Sequence, residues 1–413
     1  MGRVAYILDM FPVYSETFIL REILEVQRQG VGVTVLAHHD VTGHPIYGKV
    51  VHPEAEALRP HVLYLLPLED KSTRLKKLLP HLYFFVRAPR RYLRALRYAC
   101  LADVKTYMLF KNAANYAMLL KRLGVTHLHA HYALDSSFYA MMISLVSGIP
   151  YSFTVHAHDI FLQESAYRME DKVRNARFVA CISEYNRQTV LNLCPEADLG
   201  RLPVIHCGID IDRYQPASGA NRERLMIVSV GRLVEHKGFR YLIKACAILK
   251  TRGLRFGCRI IGDGPQREEL KQLIEDFNLH DCVKLAGAMT QEAVSAALHG
   301  ADLFVLACAI EESGMRDGIP VALMEAMALE IPVVSTRVSG VPELVKDGTG
   351  LLVDPEDFEA LADAIEQIAR LSAQDRREIG RAGRALVMKE FNLAVEVEKL
   401  VSLFSGAAPE AIR

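Results

Sequence analysis

Short apolar runs alternate with longer amphipathic stretches along almost the whole chain. Runs that predict strands lie at 3–8, 31–37, 125–130, 151–155, 178–182 and 203–206, and again at 225–230, 256–261, 282–285, 303–306, 331–335 and 350–353. Stretches with helical periodicity lie between them, among them 238–252, 265–278, 321–330 and 356–372. Because strands that alternate with helices form parallel sheets with right-handed crossovers, the pattern predicts an α/β fold with parallel sheets.

The length of the chain, 413 residues, predicts more than one hydrophobic core. A polar segment with proline and glycine at 208–222 separates two apolar strands and is the best candidate for a linker. We therefore expect a first domain at 1–207, a second at 223–392 and a terminal helix at 393–413. Ligands of open α/β sheets bind beyond the carboxyl ends of the strands, which predicts a site in a cleft between the domains.

Composition narrows the class of protein. The 49 basic residues balance the 49 acidic ones, so the overall charge does not favour nucleic acid as a partner. The eight cysteines are scattered without a C-x-x-C motif, which indicates a reducing compartment. We expect no signal peptide and a cytoplasmic protein. The longest uncharged stretch, 136–155, is interrupted at 147–150 by Ser-Gly-Ile-Pro, which predicts helix, turn and strand instead of a membrane span.

Two glycine-containing turns follow strands of the second half. The strand that ends at Gly231 leads into a loop with Arg232 and Lys237, and the next strand ends at Gly262 and Gly264. Glycine lets the backbone approach a ligand closely, and two cations at the end of a strand suit a diphosphate. Each turn alone is equally well explained as an ordinary surface loop, and the full dinucleotide fingerprint is missing.

The segment 317–328 carries the most specific pattern. We expect Pro320 to be the first residue of a helix, whose free backbone N–H groups and dipole favour an anion. Asp317 and Glu325 are eight residues apart, which is ~12 Å along a helix. One carboxylate can therefore reach a sugar hydroxyl while the other reaches a ribose. The alternative is that Asp317 only caps the helix and Glu325 is an ordinary helix residue.

Hydrogen-bonding side chains follow the first predicted strand. Ser15 and Thr17 can bond sugar hydroxyls or phosphate, and Glu16 can accept from a hydroxyl. Ser15 is also a good helix N-cap, and the two roles are compatible.

Five histidines mark the ends of two strands. His127, His129 and His131 alternate and so share one face of a strand, whereas His156 and His158 follow the next strand. Metal-dependent hydrolases place their ligands in this way. The alternative is that some of these histidines are hydrogen-bonded core residues.

One D-x-D sequence occurs, at Asp210 and Asp212, and such pairs bind metal in some transferases. Because it lies in the predicted linker, we interpret it as turn residues. Arg232 and Lys237 can neutralise phosphate in place of a metal.

The segment 71–111 contains eleven basic residues and one acidic residue, Asp103, interleaved with seven tyrosines and phenylalanines. A basic, aromatic and amphipathic stretch in a neutral protein indicates binding to an anionic membrane surface. The alternative is a solvated helical face. No nucleic-acid motif accompanies the segment.

Several ordered blocks together resemble family 4 of the retaining glycosyltransferases, and within it the exopolysaccharide and colanic-acid type. The blocks lie at 230–238, 261–265, 318–328, 332–336, 340–345 and 350–353. The resemblance implies a GT-B fold: two Rossmann-like domains with parallel sheets that face an interdomain cleft, with the last helix crossing back to the first domain.

The resemblance also implies roles in binding the donor. Arg232 and Lys237 would hold the diphosphate next to the turns at Gly231, Gly262 and Gly264. Glu325 would bind the ribose, with the helix start at Pro320 near the phosphates. Backbone N–H groups of Gly318 and Ile319 would reach sugar or phosphate.

The reacting sugar is assigned two side chains by the same resemblance. Asp317 would be the first acid of the family's E-x7-E motif, although the family has glutamate there. His156 would face the donor sugar without a metal. The acceptor side would include Ser15, Glu16, Thr17, His129 and His131.

The resemblance implies transfer of a sugar from a nucleoside-diphosphate sugar to a hydroxyl of a glycan, with retained configuration and with no metal or other cofactor. With the basic segment 71–111, it predicts a lipid-linked acceptor at the cytoplasmic face of the inner membrane. Three alternatives remain: a metal-dependent hydrolase that uses His127, His129, His131, His156 and His158, a nucleotide-sugar epimerase, and a non-catalytic nucleotide-sugar-binding protein.

Overall fold

A computed structural model describes residues 2–13, 17–40, 53–64, 74–162, 167–216 and 224–408 of the chain. The chain divides into two compact units. The first consists of Met1–Ile182, Arg187–Ile205 and Ala394–Arg413, and the second of Ser183–Asn186 and His206–Leu393.

The first unit contains a parallel sheet with helices packed around it. Its described strands are β1 (Arg3–Phe11), β2 (Gly32–Asp40), β3 (Val62–Tyr64), β4 (Val125–His131), β5 (Tyr151–Val155) and β6 (Val179–Cys181). The helices along this part of the chain are α1 (Thr17–Arg28), α2 (Pro53–Leu58), α3 (Arg74–Arg87), α4 (Pro89–Leu101), α5 (Val104–Arg122), α6 (Asp135–Ser147), α7 (His158–Phe161), α8 (Met169–Asn175) and α9 (Glu184–Leu193).

The second unit repeats this construction. Its described strands are β7 (Leu225–Val230), β8 (Phe256–Ile261), β9 (Val283–Leu285), β10 (Leu303–Leu306), β11 (Val333–Thr336) and β12 (Leu351–Val353). The helices from here to the end are α10 (Phe239–Thr251), α11 (Arg267–Asp276), α12 (Gln291–His299), α13 (Val321–Ala328), α14 (Val341–Leu344), α15 (Phe358–Arg370), α16 (Ala373–Glu390) and α17 (Leu393–Ser405). Helix α17 lies almost entirely in the first unit.

Both sheets have the same strand order. The first runs β3-β2-β1-β4-β5-β6 and the second β12-β11-β10-β7-β8-β9, with all recorded pairs parallel. This is the Rossmann order. The first three strands of each sheet are added toward one side and the last three toward the other, so the order reverses between the first and fourth strands. Ligands of such sheets bind beyond the carboxyl ends of the strands at that point. The strand order therefore predicts one ligand-binding edge in each unit. It lies at the carboxyl ends of β1 and β4 in the first unit and of β7 and β10 in the second.

The uncharged stretch 136–155 has the structure expected from its sequence. Helix α6 ends where Gly148 adopts a left-handed conformation with φ of 74°, and β5 follows. Every residue of β5 is buried, as expected for a strand with both faces covered. Among the described helices, none combines the length and hydrophobicity needed to cross a bilayer.

A predicted strand and part of a predicted linker differ from expectation. The predicted strand 203–206 is reduced to a single bridge between Val204 and Cys181, and Pro203 before it has no N–H to donate. Residues 208–216 are not a polar linker, because Ile209, Ile211 and Tyr214 are buried in the core of the second unit. The other part of the predicted linker, 217–222, lies outside the described residues.

Two smaller features of the second unit can also be compared with expectation. Pro320 is the N-cap of α13 and not its first residue, so the helix begins one residue later than predicted. Asp210 accepts a hydrogen bond from the backbone N–H of Asp212 at the start of a 3-10 turn, as expected for turn residues.

Candidate functional site

The carboxyl end of β7 is shaped by close contact between two glycine turns. Gly262 has a φ of 146°, and a Cβ atom there would lie 1.8 Å from the carbonyl oxygen of Gly231. A Cβ atom on Gly264 would lie 2.5 Å from the carbonyl oxygen of Leu233. Because neither position has room for a side chain, the two turns pack backbone against backbone at this edge of the sheet.

A lysine and an aspartate form an ion pair next to these turns. The Nζ atom of Lys237 lies 2.8 Å from Oδ1 of Asp317, and the side chains are 18% and 16% exposed. Burial alone lowers the pKa of Lys237, but the nearby Asp317 carboxylate and Cys308 outweigh it and the net shift is upward. Lys237 is therefore an ammonium ion, and it has two further N–H groups for another anion.

Arg232 and the start of α13 provide further groups for an anion. Within the described part of the chain, the exposed guanidinium of Arg232 has no recorded hydrogen bond or ion pair. Gly318, Ile319 and Pro320 are buried, and they lead directly into α13. The first N–H groups of a helix have no intrahelical acceptor, so those at the start of α13 can donate to a ligand.

Glu325 lies on α13 at the wall of a cavity of about 450 Å³. The Tyr214 hydroxyl donates to Oε1 of Glu325 at 2.5 Å. The cavity is lined by Arg213, Tyr214, Gln291, Glu292, Val294, Ser295, Ala296, Leu298, His299, Glu325 and Leu329. Its volume lies within the ~300–1,000 Å³ of small-ligand sites, and its mixed lining suits a nucleoside.

The loop before Asp317 is attached to the same edge by a histidine. His236 Nδ1 lies 2.6 Å from Oε1 of Glu311, and the N–H of Ala309 donates to the carbonyl of His236. Glu312 is exposed. Asp317, and not Glu311, is therefore the carboxylate paired with Lys237.

Sequence reasoning missed three residues of this region. Tyr214 was assigned to the linker, and His236 and Arg384 received no role. Arg384 donates to the carbonyl of Tyr214 at 2.7 Å and so holds its backbone. These residues have no motif of their own, because their contacts connect segments that are more than 70 residues apart.

In the first unit, the histidines belong to a chain of buried hydrogen bonds. Tyr6 on β1 donates to Oε1 of Glu22 on α1 at 2.8 Å. The same oxygen lies 3.2 Å from Nε2 of His131, whose Nδ1 lies 3.0 Å from Nε2 of His156. Burial, and then the neighbouring His131 and His158, lower the pKa of His156 well below its ordinary value. His156 is therefore a neutral imidazole.

His156 is also held through its backbone and its ring faces. Its N–H donates to the buried Asp159 carboxylate at 3.0 Å. Phe18 and Tyr132 pack on it with ring centroids at 4.9 and 4.7 Å. Contacts to its backbone, its Nε2 atom and its ring faces therefore hold His156 in place.

His127 and His129 are buried and hydrogen-bonded to hydroxyl groups. His129 contacts Ser152 Oγ at 2.8 Å and Thr154 Oγ1 at 3.1 Å, and Nε2 of His127 contacts Ser152 Oγ at 2.8 Å. Burial lowers the pKa of His127 to about 3 and that of His129 well below its ordinary value. The sequence analysis placed His129 and His131 near the acceptor, but their full burial gives neither a surface for it.

A metal site can be built from part of this cluster, but not from the five histidines together. Among the described residues, Glu22, His129 and His131 offer ligand atoms that all lie within 4.8 Å of one another. The ring nitrogens of His129 and His131 already have hydroxyl, carboxylate or imidazole partners. A metal would have to displace those hydrogen bonds.

Of the remaining predicted residues of the first unit, the structure describes Thr17. Thr17 is the first residue of α1. Ser15 and Glu16, predicted to contact the acceptor, lie outside the described residues. Thr17 also lines a small cavity with Phe11, Pro12 and Leu20.

Two family models match the chain, one on each half. The model described as Glycosyltransferase Family 4 matches residues 15–213, and the model described as Glycosyl transferases group 1 matches residues 210–386. Together they include β4, β7 and β10, whereas β1 precedes the first matched residue.

Curated relatives have sequences similar to this chain over about half of its length. A protein of Escherichia coli K12 named as a colanic acid biosynthesis glycosyltransferase, WcaL, is 40% identical over 215 residues, which are 52% of this chain and 52% of that protein. The amylovoran biosynthesis glycosyltransferase AmsK of Erwinia amylovora is 39% identical over 210 residues, 50% of this chain and 51% of AmsK. The chain thus matches about half the length of each of these relatives.

The fold extends over the whole chain. The Anabaena protein Alr3699/HepE, solved with UDP and glucose, superposes with a TM-score of 0.70 over 98% of this chain and 100% of that one, at 18% identity. The two Rossmann-type units thus form a GT-B fold, as predicted. The two halves of the chain are thus similar to the glycosyltransferase models of family 4 and of group 1, and the curated relatives named above belong to exopolysaccharide biosynthesis.

Proposed function

We propose that this chain transfers a sugar from a nucleoside-diphosphate sugar to a hydroxyl of a glycan in the synthesis of a cell-surface polysaccharide, with retained configuration. The observation that carries the proposal is the combination, within the second unit, of the Lys237–Asp317 pair and the cavity beside Glu325. The names of WcaL and AmsK, and the UDP and glucose bound by the Anabaena protein, support it.

The donor is assigned to the edge at β7 and β10. The nucleoside enters the cavity, where Glu325 accepts hydrogen bonds from the ribose. The diphosphate lies against Lys237, Arg232 and the first N–H groups of α13. Asp317, held by Lys237, accepts from a hydroxyl of the sugar.

The reaction breaks the bond between the anomeric carbon and the phosphate oxygen and forms a bond from the acceptor oxygen to the same carbon. The acceptor proton passes to the departing phosphate. Lys237 and Arg232 stabilise the charge that develops on the diphosphate, so we propose that no metal is needed. His156, a neutral imidazole, is assigned to the reacting sugar.

The acceptor is proposed to be lipid-linked, because the helices α3 and α4 offer a surface that suits a membrane. Large apolar side chains are exposed there, with Leu79 at 66% and Val86 at 68%. Exposed arginines accompany them at positions 87, 90, 94 and 97. Apolar side chains that insert among headgroups, flanked by arginines that pair with anionic lipid, favour peripheral binding at the cytoplasmic face of the membrane.

A titration of the full chain tests the donor assignment. Protein treated with EDTA is titrated by calorimetry with UDP-, GDP- and ADP-sugars, and one donor is expected to bind saturably. Binding should weaken in Arg232→Ala and persist in Arg255→Ala, which removes an exposed arginine just before β8. The absence of binding by every donor, with one equivalent of zinc retained before EDTA, would favour the metal-dependent hydrolase built on Glu22, His129 and His131.

A vesicle assay tests the membrane surface. The full chain should sediment with vesicles of phosphatidylglycerol and phosphatidylethanolamine and stay in solution with phosphatidylcholine alone. Leu79→Glu with Val86→Glu should abolish sedimentation, whereas Val395→Glu, at another exposed apolar position, should not. Equal binding of both variants would contradict the assignment to α3 and α4.

A further inference from the structure

The short loop that carries Lys237 runs alongside the residues that follow β10. Gly238 has a φ of 65°, and a Cβ atom there would lie 1.7 Å from the carbonyl oxygen of Ala307. The N–H of Ala309 donates to the carbonyl of His236 at 2.9 Å. Lys237 lies between these two contacts, so its backbone is held on both sides.

The side chain of Glu311 adds a further attachment to the same loop. Its Oε1 atom lies 2.6 Å from Nδ1 of His236 and accepts a hydrogen bond from the backbone N–H of His236 at 3.3 Å. Both side chains are mostly buried, so water competes only partly for these contacts. One carboxylate oxygen thus contacts both the main chain and the ring of the residue before Lys237.

Glu311 also closes the turn that leads to Asp317. The N–H of Glu311 donates to the carbonyl of Met315 at 2.9 Å, and the N–H of Gly314 donates to the carbonyl of Glu311 at 2.8 Å. Gly314 has a φ of 87°, a left-handed conformation that favours glycine. The Ser313 hydroxyl donates to Oε2 of Glu311 at 3.3 Å. Asp317 follows this turn after a single residue.

We propose that Glu311 and His236 are positioning residues that hold the loop of Lys237 against the turn before Asp317, and so place the ammonium and the carboxylate together for one nucleoside-diphosphate sugar. The inference rests on the proposed function of Lys237 and Asp317. These two residues are 80 positions apart in the chain, so their separation depends on contacts between the segments that carry them. Groups that are placed before a ligand arrives lose less freedom when it binds.

The ion pair between Lys237 and Asp317 cannot supply this positioning alone once a donor is bound. A diphosphate then takes N–H groups of the ammonium, and a sugar hydroxyl donates to the carboxylate. The contact between His236 and Glu311 uses neither the ammonium nor the Asp317 carboxylate, so it can persist while both groups turn to the donor.

The first test is nitrogen-15 NMR of the lysine ammonium groups in the full chain without any donor. The signal of Lys237 is identified by its absence from Lys237→Met. We expect it in the wild type and in Glu312→Ala, which removes the exposed neighbouring acid, and we expect its loss in Glu311→Ala. An unchanged Lys237 signal in Glu311→Ala, shown to be folded by its thermal unfolding, would overturn the proposal.

The second test is a double-mutant cycle in which calorimetry measures donor affinity. Glu311→Ala and His236→Leu should each weaken binding about three- to tenfold, and the double variant should lose little more than the larger single loss, because both changes remove the same contact. Glu312→Ala should bind as the wild type does. Losses that multiply in the double variant would contradict a joint role.

A conservative variant separates positioning from folding. Glu311→Gln keeps one acceptor oxygen for the N–H of His236 and should recover most of the affinity and of kcat, whereas Glu311→Met, of similar length, should not. Partial unfolding would lower kcat and leave the Kd of the folded fraction unchanged, and that result would also refute the proposal. If no donor binds to the wild-type chain, the proposed function fails, and the Lys237 signal still decides whether Glu311 holds the ion pair.

Discussion

The two edges marked by the strand order share a topology but use opposite electrostatics. At the edge of the second unit, Lys237 and Asp317 form a partly exposed ion pair, and Arg232 faces solvent. At the edge of the first unit, His129, His131 and His156 are buried, and burial lowers the pKa of His129 and of His156. Positive charge at one edge suits a diphosphate, whereas buried imidazole groups at the other suit the hydroxyls of a sugar.

The difference shows how two units with the same topology can serve two different chemical roles. Stabilisation of a leaving diphosphate needs fixed positive charge where negative charge develops. Recognition of hydroxyl groups needs donors and acceptors, and a neutral imidazole has one nitrogen of each kind. The predictions below test whether the two edges are as different as their contacts indicate.

The largest effect is expected from the charge of Lys237. Lys237→Met should lower the transfer rate by about 10²–10³-fold, because the departing diphosphate loses its main counter-charge. Steady-state kinetics with the donor identified by calorimetry measure this. Lys250→Met is the control, because Lys250 forms a similar pair with Asp281 on the surface of the same unit, at 2.6 Å.

The double variant Lys237→Met with Asp317→Asn distinguishes chemistry from folding. It should recover the stability that Lys237→Met loses, because no unpaired partly buried carboxylate remains. It should not recover activity. Recovery of both would indicate that the pair only holds the loop in place.

A smaller effect is expected at the nucleoside cavity. Glu325→Ala should weaken donor binding about 10–100-fold, since a hydrogen bond to a charged group contributes about 1.5–3 kcal/mol. Tyr214→Phe should weaken it roughly three- to tenfold, because Glu325 keeps its charge and loses only its partner at 2.5 Å. Calorimetric titration measures both. An equal loss in Tyr214→Phe and Glu325→Ala would mean that the tyrosine itself contacts the ligand.

The smallest effect is expected from pH, which should change the stability of the first unit more than that of the second. The folded-state pKa of His38 is lowered to about 4 and that of His127 to about 3, mainly by burial. Below the ordinary pKa of histidine the unfolded chain therefore binds protons that the folded chain does not. The free energy of unfolding is then highest above pH ~6.5 and falls as the pH drops toward 4, by at most about 1.4 kcal/mol per histidine and pH unit.

Hydrogen exchange at pH 5.5 and 7.5, corrected for the intrinsic rate, measures this difference. Protection of β4 and β5 should fall at the lower pH, and protection of β7 and β10 should fall less. Equal changes in both sheets would contradict the assignment of the pH dependence to the buried histidines of the first unit.

Much of the fold, and several residues of the edge at β7 and β10, were predictable from the sequence. Strand–helix alternation gives parallel sheets wherever it occurs, and Gly231, Gly262 and Gly264 fulfil a local requirement for close backbone contact. Asp317 and Glu325 are eight residues apart on one segment. Such features are local, so residue order alone indicates them.

The contacts across segments needed the tertiary structure. The sequence offered the histidines as metal ligands, acceptor contacts or core residues, and it gave no role to Glu22 or Tyr6. It assigned Tyr214 to a linker, although the tyrosine contacts Glu325. Side-chain spacing along the chain determines which residues share a face, but the packing of β1, α1, β4 and β5 determines which of them touch. Only the folded chain therefore decided which histidine nitrogen faces a carboxylate and which faces another ring.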